Sequence, residues 1–242
     1  MMRLIDVSKH NDIIDWASVK KSGIDGVIIR AGYGKIASQI DPRFVANYNG
    51  AKAAGLYVGA YWYSYAATTA EARAEAAACL EVLGGRALDF PVYFDMEEKS
   101  QVALSVEKCT EMATAFCEQI EKAGYWAGIY SFDSFYATNW AQELPLRFAA
   151  WVARVPGNDN GVNKVAPKCC KAYGIHQYSW KGKINGINGD VDLNECTVNY
   201  PAMINKANSV KTYDVKATIK GITAARAQEI RKACEALGMT VE

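Results

Sequence analysis

Two acids separated by one residue, Asp95 and Glu97, follow an apolar run that begins at Phe90. Alternate side chains of a β-strand point to the same face, so the two carboxyl groups are predicted to project together. Neighbouring carboxyl groups can cleave a glycosidic bond when one holds a proton and the other holds a charge. The competing interpretation is that these acids only solvate the end of a strand, and the elements around them decide between the two.

Length and composition favour an ordinary globular protein. The chain has 242 residues, of which 50% are hydrophobic and 22% charged, and its net charge is +1. This length suits one large domain, or one domain with a small appendage. The absence of a basic excess argues against a nucleic-acid partner. With two histidines in the chain, a histidine-rich metal site is not expected, and neither is a cofactor.

Cysteine usage and the N-terminal residues bear on where the chain is made. Seven cysteines, an odd number without zinc or redox spacing, indicate synthesis in a reducing cytoplasm. The adjacent pair Cys169 and Cys170 is expected to be two unreactive thiols in a loop. We expect no secretion signal, because no basic segment followed by a long apolar one opens the sequence, and no membrane span.

Strand-like segments alternate with helical ones along most of the chain. The predicted strands cover residues 3–8, 26–31, 57–65, 91–96, 126–130, 148–153, 174–178 and 191–194, and the predicted helices cover 13–22, 43–54, 69–83 and 106–122. Repeated strand–helix units with near-continuous apolar strands indicate a parallel sheet covered by helices. Eight strands with short later connections predict an α/β fold, a TIM-like (β/α) barrel that is irregular in its second half.

The residues best suited to chemistry fall near the ends of these strands. In such barrels the active site forms at the C-terminal ends of the strands. The candidates placed there are Asp6, Arg30, Tyr61, Tyr63, Asp95, Glu97, Tyr130, Trp151, Gln177 and Asp192. This convergence favours a functional site over a solvated strand end.

The pattern changes near the C-terminus, which divides the chain into residues 1–207 and residues 208–242. The second part reads as strand, helix and strand over residues 210–219, 223–237 and 239–241. A segment this short cannot bury a sufficient core by itself. We expect this appendage to pack on the barrel, to form a homo-oligomer with a copy of itself, or to target a cell wall.

Taken in order, the motifs resemble those of the glycoside hydrolase family 25 lysozymes. The resemblance covers roughly residues 1–205. The matching segments are Ile5-Asp6-Val7-Ser8, Ile28-Ile29-Arg30-Ala31-Gly32-Tyr33-Gly34, Gly59-Ala60-Tyr61-Trp62-Tyr63, Phe94-Asp95-Met96-Glu97, Gly128-Ile129-Tyr130-Ser131, Trp151-Val152-Ala153, Gln177-Tyr178-Ser179 and Asp190-Val191-Asp192-Leu193-Asn194.

The resemblance implies cleavage of the β-1,4 bond between N-acetylmuramic acid and N-acetylglucosamine in bacterial peptidoglycan. It makes Glu97 the general acid, with Asp6, Asp95 and Asp192 as acidic companions. Burial and nearby negative charge would raise the pKa of Glu97 enough for it to hold a proton near neutral pH. Asp6 could instead cap the following turn, and Asp192 could bind loop amides. Glu98, on the other face of the strand, is predicted to be a surface or salt-bridge residue.

Other candidates would contact substrate with aromatic or amide side chains: Tyr33, Tyr61, Tyr63, Tyr130, Trp151 and Gln177. Their rings could stack on sugar faces or donate hydroxyl hydrogen bonds, with packing in the barrel core as the alternative. Arg30 is expected to pair with an active-site acid and to keep that acid ionised. His176 is expected to be a core histidine whose hydrogen bonds are satisfied.

The step after protonation stays open at this point. Carboxylates two residues apart on one strand face lie about 6–7 Å apart along the strand. This falls between the separations typical of retaining and inverting glycosidases. We favour a third route, in which the 2-acetamido oxygen of the substrate attacks and Asp95 orients it or stabilises its charge.

Several functional hypotheses fit the sequence. The first is a phage or prophage endolysin, made in the host cytoplasm and released through a holin, with an exported bacterial autolysin as its near variant. The second is a barrel that only binds glycan, which the presence of Asp95 and Glu97 disfavours. The third is a chitin-directed glycosidase, which usually carries the longer run D-x-x-D-x-D-x-E, whereas Tyr93 occupies one of its acidic positions here.

Overall fold

The computed structural model describes residues 1–163, 165–208, 223, 226–230 and 232. Its first compact unit comprises Met1–Asn208. The strands predicted over 210–219 and 239–241 lie outside the described residues. Within the helix predicted over 223–237, residues 226–230 and 232 are helical. Among the described helices, none has both the length and the apolar composition needed to cross a membrane.

Eight strands close into a barrel in chain order, which confirms the predicted α/β barrel. The strands are β1 Met2–Val7, β2 Gly26–Tyr33, β3 Tyr57–Tyr63, β4 Val92–Asp95, β5 Ala127–Phe132, β6 Ala149–Ala153, β7 Tyr173–Gly182 and β8 Val191–Cys196. Neighbouring strands from β1 to β7 pair in parallel.

The last strand runs against the rest, since β8 is antiparallel to both β7 and β1. Residues 183–190 alone connect β7 to β8, and a parallel crossover needs a dozen or more residues. The parallel sheet indicated by the sequence therefore does not include β8, which lies in the half of the barrel predicted to be irregular. As a result Asp192, at the start of β8 rather than at its end, lies at the same mouth as the C-terminal ends of the other strands.

Helices cover the outside of the barrel. They are α1 Trp16–Lys21, α2 Phe44–Ala53, α3 Thr69–Leu83, α4 Lys99–Val102, α5 Val106–Lys122, α6 Asp133–Thr138, α7 Leu144–Arg147 and α8 Tyr200–Asn208. The two longest begin at side-chain caps, where Thr68 and Ser105 accept hydrogen bonds from backbone N–H groups. The first helix starts later than predicted, because Asp15 caps it by accepting from the N–H groups of residues 17 and 18.

Side chains alternate along β4 in a way that places the acids. Phe94 points outward and stacks on Phe116 of α5 with ring centroids 4.3 Å apart. Tyr93 points inward and is completely buried within the barrel. Removing a buried ring such as that of Phe94 costs about 3–5 kcal/mol. The inner face of β4 is thus apolar at Tyr93 and becomes acidic only at Asp95, at the barrel mouth.

Candidate active site

A cavity of about 330 Å³ opens at the mouth formed by the C-terminal ends of β1 to β7. Every candidate from the sequence except Tyr33 lines it: Asp6, Arg30, Tyr61, Tyr63, Asp95, Glu97, Tyr130, Trp151, Gln177 and Asp192. A larger cavity, of about 590 Å³, at the opposite end of the barrel is lined mainly by apolar residues, and Glu121 is the one carboxylate among its described lining residues. The convergence of acids therefore identifies the mouth as the candidate active site.

The two acids that follow the apolar run are held by the neighbouring strand β5. The N–H of Met96 donates to the carbonyl oxygen of Tyr130 at 3.1 Å, and Ser131 Oγ donates to the carbonyl oxygen of Met96 at 2.5 Å. The residue between the acids is thereby fixed. Asp95 is 3% exposed and Glu97 is half-buried, so both carboxyl groups reach the cavity from a rigid segment.

Burial and mutual repulsion raise the pKa of both acids. Burial raises the pKa of Glu97 to about 7, and the negative charges of Asp6 and Glu98 act in the same direction. Burial also raises the pKa of Asp95 well above its ordinary value, reinforced by Glu97 and opposed by the positive charge of Arg30. Glu97 can therefore carry a proton near neutral pH, as a general acid requires.

Asp6 and Asp192 form a second acidic pair. They lie opposite each other in the β1–β8 register, and both line the cavity. Gln177 Nε2 donates to Oδ2 of Asp6 at 2.9 Å and to Oδ2 of Asp192 at 3.2 Å. Burial raises the pKa of Asp6 to about 6, whereas burial and the charge of Asp6 raise that of Asp192 to about 9. At neutral pH the pair therefore shares one proton and carries one negative charge.

The local role considered for Asp6 is filled by other groups. The turn after β1 is capped by Ser8, whose Oγ accepts from the N–H of His10, and by Asn11, whose Oδ1 accepts from the N–H of Ser8. Asp6 instead accepts from side chains on β7 and β8. The capping alternative considered from the sequence therefore does not describe Asp6.

An amide that the sequence analysis missed completes this network. Asn194 Nδ2 donates to Oδ2 of Asp6 at 2.8 Å, and Asn194 Oδ1 accepts from Trp151 Nε1 at 2.7 Å. The signal for it is present in the sequence, because Asn194 stands two residues after Asp192 and alternation places both on one strand face. The Asn194 side chain thus connects Asp6 to Trp151 through two hydrogen bonds.

Two of the predicted sugar-stacking residues form the floor of the cavity. The rings of Trp151 and Tyr130 lie 4.3 Å apart between centroids, and Trp151 is 1% exposed. Because no face of Trp151 is open, it cannot stack on a sugar, and we correct its role to packing and to holding Asn194. Tyr130 OH donates to Gln177 Oε1 at 2.8 Å and so orients the amide that binds the acid pair.

Arg30 pairs with a different acid from those expected. Its Nε donates to Oδ2 of Asp41 at 2.7 Å, and the Asp41 side chain is fully buried. Asp41 also accepts from the N–H groups of Lys9 and Arg43, which hold it behind the cavity wall. Arg30 Nη2 is buried without a hydrogen-bond partner among the described residues, and its charge still lowers the pKa of Asp95.

Glu98 is not the surface or salt-bridge residue that the sequence analysis predicted. Its Oε1 accepts from Tyr63 OH at 2.8 Å, and its backbone N–H donates to Gln101 Oε1 at 3.1 Å. The strand ends at Asp95, so the alternation that would have turned Glu98 away does not continue past it. Glu98 therefore fixes Tyr63 at the edge of the cavity.

Tyr33 lies outside the cavity lining, although it belongs to an aromatic group beside it. Its ring contacts Tyr65 edge-on at 6.1 Å, and Tyr65 in turn packs against Tyr63 at 5.2 Å. Tyr65, which was not a candidate, is 53% exposed. These three residues, Tyr33, Tyr63 and Tyr65, are called the tyrosine cluster below.

Residues expected to have no role in the chemistry lie away from the acids. His176 is buried, its Nε2 lies 3.0 Å from the carbonyl oxygen of Arg154, and burial lowers its pKa, as expected of a core histidine. Cys169 and Cys170 are free thiols in the loop before β7, the first exposed and the second buried. The backbone amides of both bind Asp133. Among the described residues, no group of three or more His, Cys, Asp or Glu residues is arranged to hold a metal ion.

The fold and the site together define a class of enzyme. A barrel mouth that carries a half-buried glutamic acid with a pKa of about 7, beside the negative charge of the Asp6–Asp192 pair, has the proton donor and the neighbouring charge that glycosidic cleavage requires. The protein is a glycoside hydrolase.

Comparison with known proteins specifies the family. Residues 5–187 match the glycosyl hydrolases family 25, and the chain belongs to this family. The autolytic lysozyme of Clostridium acetobutylicum is 30% identical over 197 residues, which are 80% of this chain and 55% of that protein. This chain therefore spans about half the length of that relative.

Solved structures share the barrel. A bacterial lysozyme from Streptomyces coelicolor superposes with a TM-score of 0.72 at 26% identity, over 86% of this chain and 97% of that one. The CTP1L endolysin gives a TM-score of 0.72 over 99% of this chain and 80% of that one. At 23% identity, the second likeness concerns the fold alone.

Proposed function

We propose that this protein is a muramidase that cleaves the β-1,4 bond between N-acetylmuramic acid and N-acetylglucosamine in bacterial peptidoglycan. The observation that carries the proposal is the half-buried Glu97, whose pKa of about 7 lets it hold a proton at the cavity. Membership of a family with lysozyme relatives supports peptidoglycan as the substrate.

Glu97 acts first as a general acid. Its carboxyl proton passes to the glycosidic oxygen as the bond between that oxygen and the anomeric carbon breaks, and the leaving sugar departs as an alcohol. Positive charge develops on the sugar ring in this step. The single negative charge held by the Asp6–Asp192 pair at neutral pH lies in the same cavity and stabilises that charge.

Asp95 is suited to orient the acetamido group of the substrate. Its Oδ1 is buried and lacks a hydrogen-bond partner among the described residues. A buried acceptor of this kind is stabilised by a donor, which the acetamido N–H of the substrate supplies. The acetamido oxygen then attacks the anomeric carbon and forms a cyclic oxazolinium ion. Water, deprotonated by the Glu97 carboxylate, opens this ring and returns the original anomeric configuration.

Two measurements test the bond and the route. Mass spectrometry of digested walls should find N-acetylmuramic acid at the reducing end, and N-acetylglucosamine there would refute the muramidase proposal. Anomer-resolved NMR of early product should show retained configuration. Initial formation of the inverted anomer would rule out participation of the acetamido group and favour a water attacking from the opposite face.

The structure gives no support to the chitin-directed alternative. The acidic run of such enzymes would need a carboxylate at position 93, where Tyr93 is completely buried in the barrel interior. A barrel that only binds glycan has no use for a glutamic acid whose pKa is raised to about 7. The acid therefore favours catalysis.

We also propose the setting of a phage or prophage endolysin, made in the host cytoplasm and released through a holin. Free thiols at the described cysteines fit synthesis in a reducing compartment. Expression of the full chain with and without a holin tests this setting. Lysis only with the holin is expected, and lysis without it would favour an autolysin exported by another route.

The role proposed for residues 208–242 is cell-wall targeting or self-association. Sedimentation of the full chain separates these roles, since self-association predicts a mass that rises with protein concentration. A concentration-independent mass near 26.5 kDa would leave wall targeting, which co-sedimentation with purified walls then tests.

A further inference from the structure

One large aromatic side chain stands exposed at the rim of the active site without a role in the proposed reaction. Trp180 lies near the C-terminal end of β7, the end that faces the mouth, and is 47% exposed. Trp151 at the cavity floor is 1% exposed by comparison. An exposed indole forgoes the free energy that burial of its apolar surface would contribute to folding. The contacts that hold Trp180 in this exposed position are therefore informative about its role.

The indole is held in place from two sides. Its Nε1 donates to Gln177 Oε1 at 3.2 Å, and its backbone N–H donates to Oδ2 of Asp159 at 2.7 Å. Asp159 also accepts from Ser179 Oγ at 2.7 Å and from the N–H of Gly161 at 3.0 Å. A shift in the β7–β8 pairing between Gln177 and Ser179 re-aims this part of the strand. Trp180 is therefore a fixed feature of the rim.

The chemistry left available on Trp180 is that of a flat apolar face. The indole N–H already donates to Gln177 Oε1. A ligand can therefore contact only the faces of the ring system. Gln177 donates to both Asp6 and Asp192, which places the indole one residue away from the acid pair. A ring fixed in this way stacks on the apolar face of a pyranose at low entropic cost.

The opposite rim carries a second aromatic surface. The strands β3 and β7 are four positions apart in a closed barrel of eight strands, so they lie on opposite sides of the mouth. The exposed Tyr65 of the tyrosine cluster follows β3 directly. The acids lie between the two aromatic surfaces, on β1, β4 and β8. A linear glycan crossing the mouth would meet an aromatic ring at each end of its path.

From this arrangement we infer that Trp180 is a saccharide subsite, a stacking platform for a sugar ring distant from the bond that is cleaved. The inference rests on the proposed function, because it takes the ligand to be the glycan strand of that reaction. It makes the enzyme sensitive to the length of its substrate, since only a glycan long enough to reach β7 gains the contact.

Peptide-free glycan oligomers of increasing length, built from the wall disaccharide, test the subsite. The full-length protein and its W180A variant are compared by kcat/KM on each oligomer. We expect W180A to lose about fivefold to tenfold on the longest oligomer through KM, and nothing on the shortest. The W180F variant keeps a ring but no N–H, and it should retain most of the activity on the longest oligomer.

A matched control is Tyr57→Ala, which removes an exposed aromatic ring at the opposite end of β3 and should change neither parameter. Equal kcat/KM for W180A and the wild type at every length would overturn the subsite. An equal loss at every length through kcat would also overturn it, because Trp180 would then act only through Gln177 on the acids.

Binding separates this inference from the proposed reaction. Calorimetry of the longest oligomer is compared for the Glu97→Gln protein with and without W180A. A fivefold to tenfold weaker affinity in the double variant supports the subsite even if the wild type cleaves nothing, an outcome that would sink the proposed function alone. Unchanged affinity overturns the subsite even if cleavage is observed.

Discussion

Asp6 and Asp192 face each other across the one antiparallel edge that β1 makes, and both carboxyl groups line the cavity. The pair exists because β8 runs against the other strands and so brings the start of a strand to a mouth otherwise built from strand ends. Gln177 bridges both acids, and Asn194 adds a second donor to Asp6. One proton and one negative charge are thereby fixed beside the proton donor, Glu97.

The Asp6–Asp192 pair makes stability depend on pH. The pKa of Asp192 is raised to about 9 in the folded protein, mainly by burial and by the charge of Asp6. A raised pKa stabilises the fold at low pH, and this contribution is lost as the pH rises from about 4 towards 9. We expect Asp192→Asn, which mimics the protonated acid, to be more stable than the wild type at pH 9 by about 1 kcal/mol or more.

Urea unfolding at pH 5 and pH 9 checks this effect. The stability gain of Asp192→Asn should be larger at pH 9, and a gain that is the same at both values would contradict the shared proton. The Asp190→Asn variant is the matched control, because Asp190 is exposed and forms an ion pair with Lys183 at the surface.

The pH profile of activity reports on Glu97. Because burial and nearby charge raise its pKa to about 7, the rate should fall as the pH rises through this value and the general acid loses its proton. Removing the charge of Glu98 favours the ionised form of Glu97. Glu98→Gln, which can still accept from Tyr63, should therefore move the descending limb to lower pH. A limb that stays in place or moves to higher pH would show that Glu97 does not set it.

The floor of the site links packing to chemistry. Trp151→Phe removes the donor that binds Asn194 Oδ1 at 2.7 Å and leaves a buried acceptor unpaired. We expect a loss of about 1–3 kcal/mol in the free energy of unfolding, together with a lower kcat because Asp6 loses a well-oriented donor. Trp126→Phe, at the other end of the barrel, is the control and should keep kcat. Unchanged kcat in Trp151→Phe would separate Asn194 from the chemistry.

Asp95 tests the proposed participation of the acetamido group. Asp95→Asn replaces an acceptor of the acetamido N–H by a group with much weaker accepting power, and we expect kcat to fall about a hundredfold or more with little change in KM. Substrates whose acetyl group carries fluorine have a less nucleophilic carbonyl oxygen. The wild type should slow steeply along such a series, and a flat response would exclude the acetamido oxygen as the nucleophile.

Much of this site follows from local sequence patterns. Apolar strands placed Asp95 at a strand end, and the rule that barrel chemistry lies at such ends brought it together with Asp6 and Tyr61. These inferences need only the period of a strand and the order of elements along the chain. The predicted barrel is confirmed. Asp6, Tyr61 and Asp95 all line the cavity at its mouth.

What the sequence could not supply depends on long-range pairing. The antiparallel direction of β8 is settled by a connection too short to cross over, and only that direction brings Asn194 to Asp6. Arg30 forms its ion pair with Asp41, whose carboxylate is held in position by backbone N–H groups from two separate loops. Glu98 was misplaced because the strand ends earlier than its apolar pattern does. Each error concerns a contact between segments that local periodicity does not connect.

Clearing of purified cell walls measures whether Glu97 is the proton donor of the proposed muramidase reaction. The wild type should lower the turbidity of the walls, while Glu97→Gln should be slower by about a hundredfold or more. Glu81→Gln, at an exposed position on α3, should clear them like the wild type. Equal clearing by Glu97→Gln and the wild type would show that Glu97 is not the proton donor.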